Sequence, residues 1–530
     1  MKSLKLLDCT LRDGGYVNDW NFGHSVITGT YKRLDTAGVD YIEVGFLDDR
    51  REFDINRSIV PNTDCFNILF QGVKKKHAIP VAMIDFGTCS IENIGDCKST
   101  FIDGIRVIFK KEKIEEALPF CKAIKEKGYK LFIQAISITA YSDMDMLQYV
   151  QKINEIKPYA FSIVDTYGLL DNRRLTNYFN LINNNLDPRI IIGYHAHNNF
   201  QLAFSNTIKF LSLETERTLV ADSTVYGMGK SAGNCPSELI SVHMNQRFEK
   251  QYDICQFMEI LDTDLMAVYQ KHYWGYRYNF FISAMQNCHP NYVQYLLDKK
   301  TLTVSSINEI LSSIPEDIKL LYDQKYIENA YLEYQSNAID DYVAIEQLRK
   351  IVGNQEVVLL GPGQSIVSQR DEVQKFIAHS KTIVMSVNSV PVGYMPDFLF
   401  ISNAKRYSKL ADTENCDTAK LIITSNITPF DRQPEFVLNY QALLQQEGDA
   451  NDNALLLCLT ALCKCGVKEV KLAGFDGFID SEKDYYDVSY SFAGNEAYRV
   501  QRNKSTREAL KAIGKMIKIS FLTKSLYQEG

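Results

Sequence analysis

The chain has 530 residues, of which 45% are hydrophobic and 23% are charged, and its formal net charge at pH 7 is −7. This length predicts two or three domains, and the acidic balance argues against a nucleic-acid-binding surface. No apolar run approaches the length needed to cross a membrane, and the N-terminus does not resemble a signal peptide. The twelve cysteines are scattered without C-x-x-C spacing, so we expect reduced thiols and a cytoplasmic protein.

Two apolar runs end in residues that commonly bind metals. The first, Leu4–Leu11, leads into Arg12, Asp13 and a pair of glycines, and a later run, Ile190–Asn198, carries His195 and His197. Residues i and i+2 of a strand share a face, so both imidazoles can reach one ion. A carboxylate with two imidazoles suits a divalent cation that keeps positions open for substrate. The sequence therefore predicts that these two strand ends meet around a metal.

From residue 4 to about residue 230, short apolar runs alternate with helical stretches. The strand candidates are Leu4–Leu11, Val39–Leu47, Pro80–Gly87, Ile102–Phe109, Tyr129–Ser137, Ala160–Gly168, Ile190–Asn198 and Thr218–Tyr226. The helix candidates between them are Ser25–Thr36, Lys113–Lys127, Met144–Lys157, Asp171–Asn185 and Gln201–Leu211. Eight strands separated by helices predict a closed (β/α)8 TIM barrel.

Further polar residues lie within or at the carboxyl ends of these strands, where barrel enzymes place their active sites. They are Glu43, Asp85, Arg106, Asp165 and Asp222. Arg106 has two open interpretations, a clamp for a substrate carboxylate or a member of a buried ion pair.

The composition changes twice after the barrel. Residues 1–235 are expected to form the catalytic barrel and residues 236–350 a helical extension, which would provide the surface of a homodimer. The helices expected in the extension are Ile254–Tyr269, Tyr273–Phe281, Tyr292–Leu297, Ser305–Leu311, Pro315–Tyr322 and Ala338–Lys350. Residues 351–530 are expected to form a Rossmann-like α/β domain with an open parallel sheet of five or six strands.

This last domain contains a glycine-rich turn after its first strand. The strand Glu356–Leu360 is followed by Gly361-Pro362-Gly363-Gln364-Ser365, and the strand Thr382–Val387 is followed by Asn388. Backbone amides in such a turn can approach a phosphate. Gly361, Gly363, Ser365 and Asn388 are therefore candidate nucleotide-binding residues, although a degenerate, non-catalytic domain is the open alternative.

The first region resembles the DRE-TIM metallolyase superfamily, which includes 4-hydroxy-2-oxovalerate aldolases, 3-hydroxy-3-methylglutaryl-CoA lyase, and the isopropylmalate and homocitrate synthases. Five motifs carry the resemblance, in the family's order. They are Asp8-Cys9-Thr10-Leu11-Arg12-Asp13-Gly14, Ile42-Glu43-Val44-Gly45-Phe46, Asp165-Thr166-Tyr167-Gly168, His195-Ala196-His197-Asn198-Asn199, and Gly227-Met228-Gly229 leading to Ala232-Gly233-Asn234.

The resemblance implies a role for each matching residue. Asp13, His195 and His197 match the ligands of a Mn²⁺ or Mg²⁺ ion, and Arg12 matches the arginine that steadies an enolate. Glu43 is then expected to brace Arg12. Asp165 is expected to act in catalysis, and Thr166 and Asn234 to bind the substrate, a small 2-oxo acid that reacts with an aldehyde.

Two positions after the first motif depart from the family's branches. Bacterial hydroxy-oxovalerate aldolases have a catalytic histidine where this chain has Tyr16, and the synthases continue with Glu-Gln where this chain has Gly15-Tyr16. The segment Trp274–Phe280 resembles the aldolases' post-barrel helix, whose tyrosine reaches the substrate, and Tyr278 is the best match. Tyr16 and Tyr278 are therefore both candidate catalytic residues.

The second domain resembles the Rossmann-like units of bacterial sialyltransferases. The matching segments are Leu359–Ser365, Ser386–Asn388, Pro396–Phe398 and Leu472–Asp476. This resemblance implies binding of a nucleotide or a nucleotide sugar.

The leading hypothesis is a metal-dependent aldolase, similar to 4-hydroxy-2-oxovalerate aldolase, that acts through a pyruvate-type enolate. The first alternative is an acetyl-CoA-dependent Claisen condensing enzyme of the isopropylmalate or homocitrate synthase type. The second is a nucleotide-sugar-binding protein with an accessory barrel.

Overall fold

The computed structural model describes residues 3–299, 302–335, 339–410, 418–429, 432–444, 452–479, 484–487, 490 and 496–528. It divides into two compact units. The first consists of Met1–Val293 and Pro315–Tyr322, and the second of Gln294–Ile314 and Asp323–Gly530. The predicted helical extension is thus divided between the two units. No described helix has the length and apolar character needed to span a bilayer.

The first unit contains a closed parallel barrel. Its strands are β1 (Ser3–Asp8), β2 (Tyr41–Leu47), β3 (Ile59–Val60), β4 (Ile79–Asp85), β5 (Gly104–Ile108), β6 (Lys130–Ala135), β7 (Ala160–Asp165), β8 (Ile191–Ala196) and β9 (Thr218–Ser223). The order β1-β9-β8-β7-β6-β5-β4-β2 closes through a parallel β1–β2 pair, and the short β3 adds to β2 from outside the ring. The predicted eight-stranded barrel is confirmed.

Helices follow most of the strands, as a parallel barrel requires. Capping residues begin two of them: Ser142 and Asp145 form a reciprocal capping box at one helix, and Asp171 accepts from the amide of Arg174 at the next. The α-helices between β1 and the end of the barrel are Thr10–Asp13, Gly15–Asn18, His24–Thr36, Asp64–Leu69, Ile114–Glu126, Asp143–Ile156, Asn172–Asn185, Ala203–Ser212 and Ser237–Phe248.

The interior of the barrel has an apolar end and a polar end. Its amino-terminal end is filled by a buried cluster of Leu7, Cys9, Tyr41, Val81, Phe132, Ala160 and Val220. The larger apolar core lies between the strands and the surrounding helices. Buried polar residues also lie on the barrel strands, among them Glu43 on β2, Arg106 on β5 and Asp222 on β9.

The first strand is shorter than the sequence pattern predicts. The prediction extends it to Leu11, but it ends at Asp8, because the Asp8 carboxylate accepts from the amide of Thr10 at 2.9 Å and turns the chain. The segment Thr10–Asp13 then forms one helical turn. This turn carries Arg12 and Asp13 over the end of the barrel.

The segment after the barrel is less regular than predicted. The expected helix Ile254–Tyr269 is present as Ile254–Ile260, a π-helical turn at Leu261–Leu265, and Met266–Lys271. The expected helix Tyr273–Phe281 begins only at Tyr278, and Pro315–Tyr322 forms turns instead of a helix. The remaining helices before the second sheet are Tyr278–Met285, Pro290–Asp298, Val304–Ser312, Gln324–Gln335 and Tyr342–Val352, and residue 338 of the last predicted helix lies outside the described residues.

The second unit contains an open parallel sheet. Its strands are β10 (Glu356–Leu360), β11 (Thr382–Val387), β12 (Phe398–Ile401), β13 (Lys420–Thr424), β14 (Phe436–Leu438), β15 (Glu469–Ala473) and β16 (Lys518–Phe521), in the order β14-β13-β12-β11-β10-β15-β16. The sequence predicts five or six strands, whereas the described sheet has seven, of which β14 and β16 are only three and four residues long. The α-helices that accompany the strands of the second unit are Ser365–Ser368, Arg370–His379, Ala404–Leu410, Ala454–Lys464 and Glu496–Ile513. The strand order reverses its direction between β10 and β15, the position where open α/β sheets commonly bind ligands.

Candidate metal centre

Three side chains converge at the carboxyl ends of β1 and β8. One ligand atom from each of Asp13, His195 and His197 lies within 4.8 Å of the others, and all three residues are buried. The Nε2 atom of His197 is 3.7 Å from the Oδ2 atom of Asp13. The structure thus brings together the three residues that the sequence analysis selected as metal ligands.

The second ring nitrogen of each histidine fixes the orientation of the imidazole. His195 Nδ1 lies 3.1 Å from Asp222 Oδ2, and His197 Nδ1 lies 3.1 Å from the carbonyl oxygen of Asp165. These contacts leave both Nε2 atoms for a ligand, and His197 Nε2 is buried without a hydrogen-bond partner. A buried, unpartnered ring nitrogen beside a carboxylate fits a divalent cation, because a bound cation would satisfy it.

The protonation states also suit a cation. Burial lowers the pKa of His197 to about 3, so its imidazole is neutral near pH 7. Burial would raise the pKa of Asp13, but Arg12 and the two imidazoles outweigh that effect and hold the pKa well below its usual range. A metal ion binds a neutral imidazole and an ionised carboxylate, the states found for His197 and Asp13.

A second group, Cys9 with His195 and Asp222, also has ligand atoms close together. Burial raises the pKa of the Cys9 thiol well above its usual range, so the thiol stays protonated and is a poor metal ligand. The carboxylate of Asp222 already accepts hydrogen bonds from His195 and from Arg106. The geometry therefore favours the site made by Asp13, His195 and His197.

A chain of buried ion pairs connects the two sides of this site. Arg12 Nη1 is 2.5 Å from Asp13 Oδ1, and Arg12 Nε is 2.6 Å from Glu43 Oε2. The same Glu43 oxygen is 3.2 Å from Arg106 Nη1, and Arg106 Nη2 donates to Asp222. Since Asp222 also holds His195, the charges run without a break from Asp13 to His195. Glu43 braces Arg12 by direct contact, as the sequence analysis expected.

Arg106 belongs to this series of buried ion pairs and does not line the adjoining cavity. Its side chain is 1% exposed, and Nη2 also donates to Gln134 Oε1 at 3.0 Å. This placement corresponds to the ion-pair interpretation and not to the predicted contact with substrate. Asn234 is likewise buried, and its Nδ2 donates to Asp13 Oδ2, so it supports the metal ligand instead of facing the cavity.

Asp165 and Thr166 lie where β7 ends, but only Thr166 lines the cavity. Both oxygens of Asp165 accept from backbone amides, those of Leu169 at 2.8 Å and Leu170 at 3.0 Å. The predicted catalytic role of Asp165 therefore has no geometric support, because this carboxyl group stabilises the loop and its carbonyl oxygen positions His197.

The two tyrosines proposed as catalytic residues differ in position. Tyr16 lines the cavity next to Arg12 and Asp13, and the surrounding protein raises the pKa of its phenol to about 12. Tyr278 is 57% exposed at the first position of its helix and is absent from the described wall of the cavity. The expected post-barrel helix begins too late in the chain to direct this tyrosine inward.

The site opens into a cavity of about 590 Å³ at the carboxyl end of the barrel. The sequence analysis missed several residues of its wall. Among them are Lys110, Lys111, Gln134, Ser137, Lys230 and His289. Lys230 directly follows the Gly227-Met228-Gly229 motif, so its position in that motif was the available signal. His289 and the turns at 316–322 come from the segment after the barrel and carry no recognisable motif.

Asp8 provides a test of how deeply the barrel end is buried. Burial raises its pKa to about 6, above the usual 3.8, so its contribution to stability is full below pH 3.8 and is lost as the pH rises through 6. We expect the unfolding free energy of the wild type, relative to Asp8→Asn, to fall by about 1.4 kcal/mol per pH unit across this window. Urea unfolding followed by tryptophan fluorescence measures this difference, because Trp20 and Trp274 both lie in the first unit. A difference independent of pH would contradict the buried, raised carboxyl group.

In the second unit, the predicted phosphate-binding turn packs against the end of β15. Gly361 N donates to Ala473 O at 2.8 Å, and Gly363 N donates to Gly474 O at 2.7 Å. Ser365 N donates to Asp476 Oδ2 at 2.7 Å. These amides are therefore already occupied, and the glycines are explained by the close approach of the two loops. Asn388 is also bonded to protein atoms, because its Oδ1 accepts a hydrogen bond at 2.9 Å from the amide of Ser402, at the end of the neighbouring strand.

Comparisons with known proteins identify relatives of the barrel region. Residues 3–263 match the HMGL-like family. An oxaloacetate decarboxylase from Mycobacterium tuberculosis is 22% identical over 256 residues, which cover 46% of this chain and 70% of that protein. A 4-hydroxy-2-oxovalerate aldolase from Desulfitobacterium hafniense is 23% identical over 281 residues, covering 50% and 78%. A homocitrate synthase from Pyrococcus abyssi is 24% identical over 247 residues, covering 43% and 62%. The barrel region of this chain, residues 3–263, is therefore an HMGL-like domain related to the aldolases, lyases and synthases of the DRE-TIM metallolyase superfamily.

Proposed function

We propose that the chain is a divalent-metal-dependent aldolase, a carbon–carbon lyase that forms or cleaves a 2-oxo acid through a pyruvate-type enolate, with Mn²⁺ or Mg²⁺ as its ion. The observation that carries this proposal is the grouping of Asp13, His195 and His197 beside Arg12, with a buried His197 Nε2 that has no protein partner. An ion bound by these three residues would supply a Lewis acid for the keto group of the substrate.

Arg12 is placed to stabilise the negative charge that develops on the substrate. Its Nε and Nη1 atoms are held by Glu43 and Asp13, whereas Nη2 has no hydrogen bond to any described residue, and Arg12 lines the cavity. The guanidinium is thus fixed before the reaction starts and needs no reorganisation as the oxyanion forms. Arginine suits this role because it stays charged even when buried.

Tyr16 is suited to donate a proton and not to remove one. With a pKa raised to about 12, its phenol stays neutral at physiological pH. A neutral phenol beside Arg12 can hydrogen-bond a developing oxyanion or protonate the enolate carbon. The base of an aldol cleavage, which removes the proton of the 4-hydroxyl group, would then have to be a different group.

This property of Tyr16 favours a second reaction at the same site. Decarboxylation of oxaloacetate produces the same pyruvate enolate, but it requires no base because carbon dioxide is the leaving group. One of the relatives is named an oxaloacetate decarboxylase. We therefore propose oxaloacetate decarboxylation as the alternative activity of the metal centre.

Exchange of the pyruvate methyl protons in D2O tests the proposal. We expect NMR to show exchange with Mn²⁺ or Mg²⁺ and its loss on chelation, because enolate formation needs the cation. Absence of exchange under both conditions would contradict the enolate chemistry. Aldehyde addition then identifies an aldolase, and carbon dioxide release from oxaloacetate identifies a decarboxylase.

The same preparation tests the two other functions that the sequence left open. Release of free CoA thiol from acetyl-CoA with a 2-oxo acid would identify a condensing enzyme. A shift of the melting temperature by CMP or UDP, without any enolisation, would favour a nucleotide-sugar-binding protein.

A further inference from the structure

The wall of the barrel cavity contains three lysines, and two of them, Lys110 and Lys230, differ from the third in their surroundings. No carboxylate of a described residue lies within ion-pair distance of either one. Lys111, in the same wall, differs, because its Nζ is 2.6 Å from Asp145 Oδ2. Lys110 and Lys230 therefore have charge available for a ligand.

Lys230 is fixed close to the metal site. Its backbone amide lies 3.3 Å from Asp13 Oδ2, and its Nζ lies 5.5 Å from the centre of the Tyr16 ring. Asp85 lines the same cavity, but among the described residues no carboxylate oxygen, including those of Asp85, lies within 4.0 Å of the Lys230 ammonium group.

Lys110 approaches the cavity from the other side of the barrel. It follows β5, which is separated from β8 by β6 and β7, and from β1 by β4 and β2. Of the three proposed metal ligands, Asp13 lies in the turn after β1, His195 lies on β8, and His197 directly follows β8. Lys110 is therefore placed across the mouth of the barrel from the metal site, and the charges of both Lys110 and Lys230 act on His289, which belongs to the same cavity wall.

His289 adds a neutral hydrogen-bond donor to the same wall. The amide of Asn291 donates to His289 Nδ1 at 3.1 Å, and burial lowers the pKa of the imidazole to about 4. The neutral ring must then carry its proton on Nε2. Tyr167 and Tyr322 hold the ring with centroid distances of 5.8 Å and 5.7 Å. Lys110, Lys230 and His289 thus give the wall two lysines outside any ion pair with a described residue and one hydrogen-bond donor.

Acidic groups also line the cavity, and an ionised carboxylate would oppose the binding of an anion. Asp85, Glu112, Glu316 and Asp317 belong to its wall. Glu316 is paired with Lys319, whose Nζ is 2.5 Å away, and burial raises the pKa of Asp85. Glu112 and Asp317 remain as the groups that could instead attract a cationic substrate, so the test includes one.

We propose that Lys230, Lys110 and His289 form an anion subsite that binds a carboxylate or phosphate on the acceptor half of the substrate. The preferred acceptor is then an anionic aldehyde. This inference rests on the proposed aldolase function and extends it from the enolate donor to the acceptor.

Aldol addition of pyruvate to matched pairs of acceptors tests the subsite in the metal-loaded full-length protein. The pairs are glyoxylate with acetaldehyde, and glyceraldehyde 3-phosphate with glyceraldehyde. We expect kcat/KM to be about 10-fold to 100-fold higher for the anionic member of one pair, from one or two charge-assisted hydrogen bonds. The pair that shows the preference distinguishes a carboxylate from a phosphate. Aminoacetaldehyde serves as the cationic acceptor.

Variants then connect the preference to the named residues. Lys230→Gln and Lys110→Gln are each expected to lower the ratio of anionic to neutral kcat/KM by about tenfold, the loss of one charged hydrogen bond. Lys122→Gln, at an exposed position of an outer helix, is the control and should keep the wild-type ratio. Titration of the metal-free protein with inorganic phosphate or glyoxylate gives a readout without turnover. The rise in melting temperature produced by one of these anions should be smaller for Lys230→Gln.

Several results would overturn the subsite. Equal kcat/KM for neutral and anionic acceptors would do so while leaving the aldolase function intact, and so would preference for aminoacetaldehyde. An increase in the KM of pyruvate in Lys230→Gln, with the acceptor ratio unchanged, would assign Lys230 to the donor and also overturn it. If pyruvate does not exchange at all, the aldolase function fails, and the anion titration alone decides: a shift lost in Lys230→Gln supports the subsite, and no shift contradicts it.

Discussion

Replacement of Asp13 by Asn is expected to lower the rate of metal-dependent pyruvate exchange by about a thousandfold or more, equivalent to about 4 kcal/mol of transition-state stabilisation. The substitution keeps the size of the side chain but removes the charge that faces His197 Nε2 at 3.7 Å. His195→Ala should have a similar effect, because it removes a second ligand. The measurement is exchange at saturating Mn²⁺, together with the affinity for Mn²⁺.

The fold should survive these substitutions, because Arg12 keeps its ion pair with Glu43. Near-ultraviolet circular dichroism should therefore retain the wild-type signal. His77→Ala is the matched control, since His77 is an exposed histidine on the loop before β4, and it should exchange pyruvate at the wild-type rate. Wild-type exchange by folded, metal-free Asp13→Asn would contradict the assigned metal site.

The second large effect is expected from Glu43→Gln. Glu43 is fully buried, and its Oε2 lies 2.6 Å from Arg12 Nε and 3.2 Å from Arg106 Nη1. A neutral amide would leave two buried guanidinium groups without the carboxylate between them. Removing one partner of a buried ion pair typically lowers the unfolding free energy by about 3–5 kcal/mol. Urea unfolding followed by tryptophan fluorescence measures this loss in the first unit, which contains both tryptophans.

Glu52→Gln provides the comparison for that experiment. Glu52 is an exposed glutamate of the same unit, so its loss should change the unfolding free energy by less than about 0.5 kcal/mol. A similarly small change in Glu43→Gln would show that the chain of charges from Asp13 to His195 adds little to stability. The structure predicts the opposite, because every member of that chain is buried.

The barrel and the metal ligands could be predicted from local patterns in the sequence. Strands covered by helices are apolar along their whole length, so all eight barrel strands were recognisable as short apolar runs. The spacing of His195 and His197 also carries its own meaning, because residues two apart on a strand share a face. These features depend on neighbours in sequence, and the structure places them as expected.

The partners of the buried charges could not be read from the sequence. Arg106 is on β5, Glu43 on β2 and Asp222 on β9, so only closure of the barrel brings them together. The sequence alone therefore could not decide whether Arg106 binds a substrate carboxylate or belongs to a buried ion pair. Tyr278 was predicted within a helix that begins at Tyr273. The residues before Tyr278 form an irregular loop instead, and the helix begins only at Tyr278.

The second unit shows the same limit at a glycine-rich turn. Gly361 and Gly363 fit a phosphate-binding pattern, but a Cβ atom on Gly363 would lie 2.7 Å from the carbonyl oxygen of Gly474. The glycines thus permit two loops to pack, and the amides of Gly361, Gly363 and Ser365 bond to protein atoms. Sequence alone cannot distinguish a turn that is open to a phosphate from one that is closed by a neighbouring loop.

The most direct test of the metal centre is an anomalous-diffraction map from a crystal grown with Mn²⁺ and pyruvate. We expect one strong peak bonded to Asp13, His195 Nε2 and His197 Nε2, with pyruvate on the remaining positions of the ion and next to Arg12. A peak elsewhere in the chain, or imidazoles turned away from Asp13 with no ion between them, would contradict the proposed chemistry.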